Sequence, residues 1–141
     1  MQHDKSKTAA TWIALVGGVF GLHRFYLHGW RDKLAWLHWP PTMIGIAGFL
    51  RVQRLGQDDR LAWLLTPVGG VMLTLACSMA IYYGLVSDER WAARYNPGHA
   101  VRPTRWAPVI GVIVALLIGG IAMMSTLAYS TEFGYQAFFA D

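Results

Sequence analysis

Two long runs without a charged residue limit what this chain can fold into. Residues 61–86 and 106–131 each extend for 26 residues without Asp, Glu, Lys or Arg. A helix needs about 20 apolar residues to cross a hydrocarbon core of about 30 Å. Neither run has a polar face wide enough for a surface helix of a soluble protein. The composition agrees, since 55% of the residues are hydrophobic and 14% are charged, so the sequence predicts a membrane protein.

Two shorter apolar segments precede these runs. The first covers residues 8–27, and the second covers residues 34–50 and contains two adjacent prolines. The four segments predict an all-α integral membrane protein with about four transmembrane helices, the first two forming a short hairpin. A re-entrant second segment is the alternative, because this segment is short and broken by proline. Residues 1–55 are assigned to the hairpin, and residues 56–141 to two further transmembrane helices joined by an Arg-rich interfacial loop, within a single compact membrane domain.

Local signals predict where some helices begin and end. Gly56 is expected to end the second helix, because glycine accepts the left-handed conformation found there. Asp58 is expected to cap the third helix. Residues 87–98 read as a short amphipathic helix at the membrane interface, with Trp91 and Tyr95 on one face.

Small residues spaced four apart let helices approach closely in lipid. Such residues occur on the first, third and fourth segments and predict helix–helix contacts, inside one bundle or between copies of the chain. They are Gly17 and Gly21, then Gly70, Thr74 and Ser78, then Gly111, Ala115 and Gly119.

The 12 Lys and Arg residues stand singly or in pairs between the apolar segments. Cations that flank spans in this way contact lipid headgroups, whereas a nucleic-acid-binding protein gathers them on one face. The net charge of +4 is therefore attributed to the membrane, and no nucleic-acid partner is expected. With four spans, seven cations share a side with residues 23–26 and five lie on the other, which favours placing residues 23–26 in the cytoplasm.

The sequence contains no recognisable catalytic or metal-binding constellation. His23 and His28 are five residues apart, so they do not share a helix face as ligands at positions i and i+4 do. The four apolar segments contain no acidic residue, whereas metal sites and paired-carboxylate catalysis need clusters of such ligands. We therefore expect a protein that is not an enzyme and that holds no metal or cofactor.

The length of the first segment accounts for the basic residues near its end. Residues 8–22 rise only about 22 Å as a helix, which is too short for a crossing. Continuing the helix for five residues reaches about 30 Å and leaves Arg24 near the headgroups, to which its side chain can extend. Phe25 and Tyr26 would then act as interfacial anchors.

The same stretch resembles a known family. Residues 5–29, KSKTAATWIALVGGVFGLHRFYLHG, resemble the signature of the TM-two domain family, whose bacterial members are also called NINE proteins. In that signature a lysine-flanked first helix ends in Gly-x-x-Gly-x-His-Arg-Phe-Tyr-x-Gly. The resemblance covers about the first third of the chain. The matching residues are Gly18, Gly21, His23, Arg24, Phe25 and Tyr26.

The match departs from the family in two places. His28 stands before Gly29, where the family has glycine directly after the Tyr-Leu pair, and residues 34–50 lack the aspartate of the family's second helix. The resemblance implies a membrane hairpin module whose biochemical activity is unassigned, located in the bacterial inner membrane. It also implies that His23, Arg24 and Phe25 form the functional tip of the hairpin.

Two functions of different classes follow from these features. The first is a non-catalytic interaction or scaffold module whose tip, residues 23–26, contacts anionic lipid or a partner protein. Arg24 would bond to a phosphate or carboxylate there, and the simplest version is an anchor without a ligand. The alternative is an oligomeric channel or transport component. The expected partners are membrane lipids, together with either a membrane protein or further copies of the chain.

Overall fold

The structure, a computed structural model, describes residues 4–139, and these residues form helices and loops without a strand. Two helices within this range are long and apolar enough to cross a membrane, Arg60–Leu85 and Ala107–Phe139. The all-helical membrane fold is confirmed, whereas four spanning helices are not. In chain order the helices are α1 (Lys7–Gly17), α2 (Leu22–His28), α3 (Lys33–Trp36), α4 (Trp39–Leu55), α5 (Arg60–Leu85), α6 (Asp88–Tyr95) and α7 (Ala107–Phe139), with one 3₁₀ turn, Gly18–Phe20, after α1.

The two long helices pack antiparallel along their whole length. Their contacts recur every seven residues on each helix, which is the spacing of a heptad repeat. Glycine on one helix repeatedly meets a small or β-branched side chain on the other, so the two backbones approach closely. From one end to the other these contacts join Trp63 to Phe133, Gly70 to Thr126, Cys77 to Gly119 and Gly84 to Val112.

The first apolar segment is not one helix. After α1 and the 3₁₀ turn, Gly21 takes a left-handed backbone conformation with a φ of 72°, which glycine adopts without steric cost. The α2 helix then returns toward the start of α1, where the Tyr26 hydroxyl accepts a hydrogen bond from the Ser6 N–H at 2.9 Å. The predicted continuous helix over residues 8–27 is therefore wrong, because the chain reverses after about 16 Å of helix. From here on, hairpin means the pair α1 and α2, and not the pair predicted for residues 1–55. Its tip is the turn at Gly21, and residues 23–26 lie on its returning arm, α2.

The α1 and α4 helices lie one after the other on a single face of α5. Both run antiparallel to α5, so together they form one interrupted path along the bundle. Their close approach depends on glycine, since a Cβ atom on Gly18 would lie 2.7 Å from the Cβ atom of Ala76. Toward one end of α5, Thr11 contacts Gly84 and Gly18 contacts Ala76. Toward the other end, Gly45 contacts Gly69 and Gly48 contacts Thr66.

One side-chain hydrogen bond supports the break between α1 and α2. The Thr42 hydroxyl, at the start of α4, donates to the carbonyl of Val19 in the 3₁₀ turn. A helix that ends leaves such carbonyls without a partner, and hydrocarbon offers no water to replace one. Thr42 is only 4% exposed, so this acceptor is satisfied inside the protein.

Some predicted boundaries match the structure and others shift. Gly56 ends α4 with a φ of 86°, as expected. The cap of α5 is Asp59 rather than Asp58, because the Asp59 carboxylate accepts the Leu61 N–H. The short helix after residue 87 is confirmed as α6, but Trp91 is buried against the ring of Tyr83 instead of facing the interface.

Four of the small residues predicted to pack helices lie at helix contacts, of which Gly111, Ala115 and Gly119 are buried and Gly70 is half-buried. Gly70 and Gly119 lie between α5 and α7, Gly111 faces α1, and Ala115 belongs to the buried core. This core also contains Ala10 of α1, so residues from both predicted parts of the chain share it.

The pair Gly17 and Gly21 does not form a stripe on one helix, because Gly21 belongs to the turn. Gly21 instead approaches the backbone of Ala35 in α3. Gly45 and Gly48, which give the close approach of α4 to α5, were not among the residues predicted to pack helices. Their three-residue spacing on one helix face was the available signal.

Replacing Gly45 by alanine is expected to destabilise the bundle by about 1–3 kcal/mol, because the added Cβ overlaps the backbone of Gly69. The thermal unfolding midpoint of purified protein in detergent, followed by tryptophan fluorescence, measures this loss. Gly120→Ala is the matched control, since nothing lies within 4 Å of a Cβ at that position of α7. Equal midpoints for the two variants would contradict the close contact between α4 and α5.

Candidate functional site

The His23 side chain points into the protein. It is 1% exposed, and its ring lies 5.7 Å from the rings of both His38 and Tyr83. Neither ring nitrogen has a hydrogen-bond partner among residues 4–139. Such a group costs about 1–3 kcal/mol when it is buried without a partner. His23 therefore packs as a buried aromatic ring and does not present a surface to lipid or to a partner protein.

Arg24 is paired with a carboxylate of the following loop. Its Nε donates to Asp32 Oδ2 at 2.8 Å. The other oxygen of Asp32 accepts the N–H of Leu34 at 3.0 Å, which caps α3. One carboxylate thus joins the returning arm of the hairpin to the next helix.

The pKa of Asp32 reflects this arrangement. Removal of the carboxyl from water acts to raise its pKa, but the Arg24 guanidinium and the Leu34 N–H stabilise the charged form, so the pKa lies below its usual value. The pair is therefore charged at neutral pH. Asp32 precedes the second apolar segment, and nothing in the sequence identified it as the partner of Arg24.

Phe25 belongs to a ladder of aromatic rings on the outer side of the hairpin. Its ring lies 5.0 Å from Trp30 and 5.2 Å from Trp36. The ladder continues through Trp39 to Phe20 at the hairpin tip. Trp30 is 75% exposed, and exposed tryptophan is typical of the boundary between lipid and water.

Tyr26 fastens α2 to the start of α1. Besides the bond from the Ser6 N–H to its hydroxyl, its carbonyl accepts the Lys5 ammonium at 2.8 Å. The same ammonium lies 5.1 Å from the centre of the Tyr26 ring, within the range of a cation–π contact. In the structure, therefore, the side chains of residues 23–26 contact the protein itself. Their predicted role as a binding site for lipid or a partner stays a prediction.

The returning hairpin brings three separate parts of the chain to one end of the bundle. We call this the basic end, and it consists of residues 4–7, 24–33 and 86–106. The Lys7 ammonium lies 3.0 Å from the Asp88 carboxylate, which joins the first part to the third.

Most of the positive charge collects at the basic end. The four-span arrangement separated Lys5 and Lys7 from the cations after α5, but the structure places them together. Nine of the 12 Lys and Arg residues lie at this end: Lys5, Lys7, Arg24, Arg31, Lys33, Arg90, Arg94, Arg102 and Arg105. The other three, Arg51, Arg54 and Arg60, lie at the opposite end, where α4 is joined to α5.

The described residues show no metal centre. Residues 4–139 contain no group of three or more His, Cys, Asp or Glu side chains placed to hold an ion. His38 lies between α3 and α4 and is oriented by α3, since its Nδ1 lies 2.7 Å from the Leu34 carbonyl oxygen and donates to it.

Replacing Asp32 by asparagine is expected to cost about 1 kcal/mol of stability at pH 7, the upper range for a partly exposed ion pair. The lowered pKa sets the sign of the pH effect. The contribution of Asp32 is fully present above the unfolded carboxyl pKa of about 3.9 and disappears as the pH falls through the folded value.

The unfolding midpoint in detergent at pH 7 and pH 3 measures this effect. The wild type should lose more stability on acidification than Asp32→Asn does. Asp58→Asn, which changes an exposed carboxyl in the loop before α5, is the control and should behave like the wild type. An acid response that is identical in all three proteins would exclude a stabilising pair between Arg24 and Asp32.

Comparison with known proteins identifies the N-terminal region. Residues 3–51 match the family model of the TM2 domain, so this part of the chain is a TM2 domain and the predicted resemblance is confirmed. The match ends within α4, and α5, α6 and α7 lie outside it. No curated protein and no solved structure matches the chain.

Proposed function

We propose that the chain is a non-catalytic membrane module whose basic end holds it against anionic headgroups on the cytoplasmic face of a bacterial inner membrane. The observation that supports this proposal is the gathering of nine of the 12 Lys and Arg residues at that end. Cations next to a membrane span are retained in the cytoplasm. Those without a carboxylate partner among residues 4–139 each also contribute about 1 kcal/mol of attraction to an anionic leaflet, whereas Lys7, Arg24 and Arg102 are paired within the chain.

The uneven distribution of Lys and Arg residues depends on the break between α1 and α4, which lie one after the other along α5. If α1 and α2 enter the membrane and return, α4, α5 and α7 make three crossings in total. The N-terminal residues then share a side with α6, and the loop around Gly56 lies on the other. Nine cations oppose three, which is a stronger bias than the seven against five of a four-span arrangement.

Residues 23–26 have a supporting role in this proposal. His23 and Tyr26 hold α2 against the bundle, and Arg24 fixes the loop that carries Arg31 and Lys33. These contacts bring the loops of the basic end into one surface. The lipid contacts themselves are assigned to the exposed cations around the tetrapeptide.

Lipid recovery tests the proposed function. Full-length protein reconstituted in vesicles of phosphatidylcholine and phosphatidylglycerol (4:1) is extracted in polymer-bounded patches, and the recovered phospholipids are quantified. We expect phosphatidylglycerol to be enriched several-fold over the vesicle composition. Arg90→Gln with Arg105→Gln should reduce the enrichment more than Arg54→Gln with Arg60→Gln, because the first pair lies at the basic end. Recovery of lipid at the vesicle ratio by the wild type would reject the proposal.

Cysteine labelling tests the orientation. In a Cys77→Ala background, which removes the only cysteine, Asp58→Cys should react with an impermeant maleimide in intact cells after outer-membrane permeabilisation. Ser6→Cys and Ala100→Cys should react only once the inner membrane is opened, since the proposal places both on the cytoplasmic side. Labelling of Ser6→Cys but not Ala100→Cys in intact cells would favour four spans instead.

One observation favours the alternative of an oligomeric channel or transport component. His23 is an ionisable side chain inside the bundle whose two nitrogens have no partner among residues 4–139, and such residues often mark ion or proton pathways in membrane proteins. Ion flux into liposomes that contain the purified protein would support this alternative.

A further inference from the structure

A half-open groove of about 520 Å³ lies at the basic end. It is bounded on one side by the end of α2 and on the other by the end of α6. Its volume is sufficient for a lipid headgroup. The residues that line it are Asp4, Lys5, Leu27, His28, Gly29, Arg94, Tyr95, Asn96, Pro97 and His99.

The groove carries more positive than negative charge. Arg94 has no carboxylate within 4 Å among residues 4–139, and its guanidinium lies 5.7 Å from the centre of the Tyr95 ring. Asp4 is the single acidic residue in the wall. Its carboxylate already lies 3.0 Å from Arg102 and 3.5 Å from the His99 ring, so it does not neutralise Arg94.

Two histidines lie on opposite walls of the groove. His28 ends α2, and its Nδ1 lies 3.7 Å from Asp32 Oδ2. His99 follows α6, and its Nε2 lies 3.5 Å from Asp4 Oδ1. The other ring nitrogen of each histidine is the one that no carboxylate among residues 4–139 contacts, and an imidazole N–H or a guanidinium can donate to a phosphate oxygen.

The ends of α2 and α6 also place backbone carbonyls near the groove, and carbonyls favour cations. Lys5 already supplies a cation to the end of α2, because its ammonium donates a hydrogen bond to the Tyr26 carbonyl. The last residues of α6 are capped by the Asn96 N–H, which donates to the Ala92 carbonyl at 2.9 Å. A phosphate in the groove would therefore be attracted by the side-chain cations and not by the helix ends.

We propose that this groove binds the phosphate of an anionic phospholipid headgroup, with Arg94 as the main ligand and His28 and His99 as flanking donors. This inference rests on the proposed function and assigns its lipid contact to one site. A lipid is favoured over a soluble phosphate because Trp30, which is 75% exposed, directly follows Gly29 in the wall of the groove. Exposed tryptophan is typical of the membrane surface.

Native mass spectrometry of the full chain tests this site. Protein purified from vesicles of phosphatidylcholine and phosphatidylglycerol is transferred to detergent, and the phospholipid that remains bound is counted. We expect the wild type to retain one phosphatidylglycerol, and Arg94→Gln to reduce its occupancy about tenfold, as expected for loss of a charge-assisted bond. Arg54→Gln removes an exposed arginine at the opposite end and should retain lipid like the wild type.

The outcomes separate this proposal from the broader one. Enrichment of phosphatidylglycerol in membrane patches together with equal retention by Arg94→Gln and Arg54→Gln would overturn the groove site and leave the proposed function standing. Absence of enrichment in the patches would reject both. Displacement of the bound lipid by 10 mM inorganic phosphate, with retention of phosphate in its place, would show a soluble-anion site and overturn the lipid assignment. Both variants should unfold within a few degrees of the wild type, so that a difference in lipid retention reflects binding and not loss of the fold.

Discussion

A backbone that leaves the helical conformation inside a membrane must find its hydrogen-bond partners within the protein, because hydrocarbon supplies none. In the proposed arrangement this constraint falls on the turn between α1 and α2, where Thr42 donates to the Val19 carbonyl. Gly21 allows the reversal itself through its left-handed backbone. The rest of the arrangement follows from this turn. Because the hairpin returns, the N-terminus and the loop before α3 reach the same end of the bundle as α6.

The second organising element is α5, which contacts α7 along one stripe and both α1 and α4 along the next. The glycines that bring the TM2 domain close to it, Gly18 and Gly45, meet Ala76 and Gly69. Both of those partners lie outside the matched residues 3–51. The packing surface of the domain is therefore completed by a helix that the domain does not contain.

The sequence predicted the parts of this fold that depend on local composition. Residues 61–86 and 106–131 contain all but the first residue of α5 and most of α7, because a helix in lipid cannot leave charged groups unpaired along its length. The end of α4 at Gly56 and the short α6 follow from local turn and capping chemistry. These features require no knowledge of which helices are neighbours.

The reversal at Gly21 could not be predicted in the same way. Glycine four residues after another glycine is suited to a helix contact, and glycine is equally suited to a left-handed turn. A first helix that continued to residue 27 would place Arg24 at the headgroups, but the helix ends before Gly21. The pairing of Arg24 with Asp32 and the burial of His23 depend on the position of α2 beside α3 and α5, which no local pattern contains. How residues 23–26 serve a ligand or partner remains a prediction from the sequence.

The dependence of α1 and α4 on α5 also has a consequence for biosynthesis. Translation makes the first 55 residues before the helix on which their glycines pack. The hairpin of α1 and α2 reverses before it can cross a bilayer, so until α5 emerges it has no helix to dock against. In the proposed arrangement, stable integration of this hairpin therefore follows the insertion of α5 and runs against the order of synthesis.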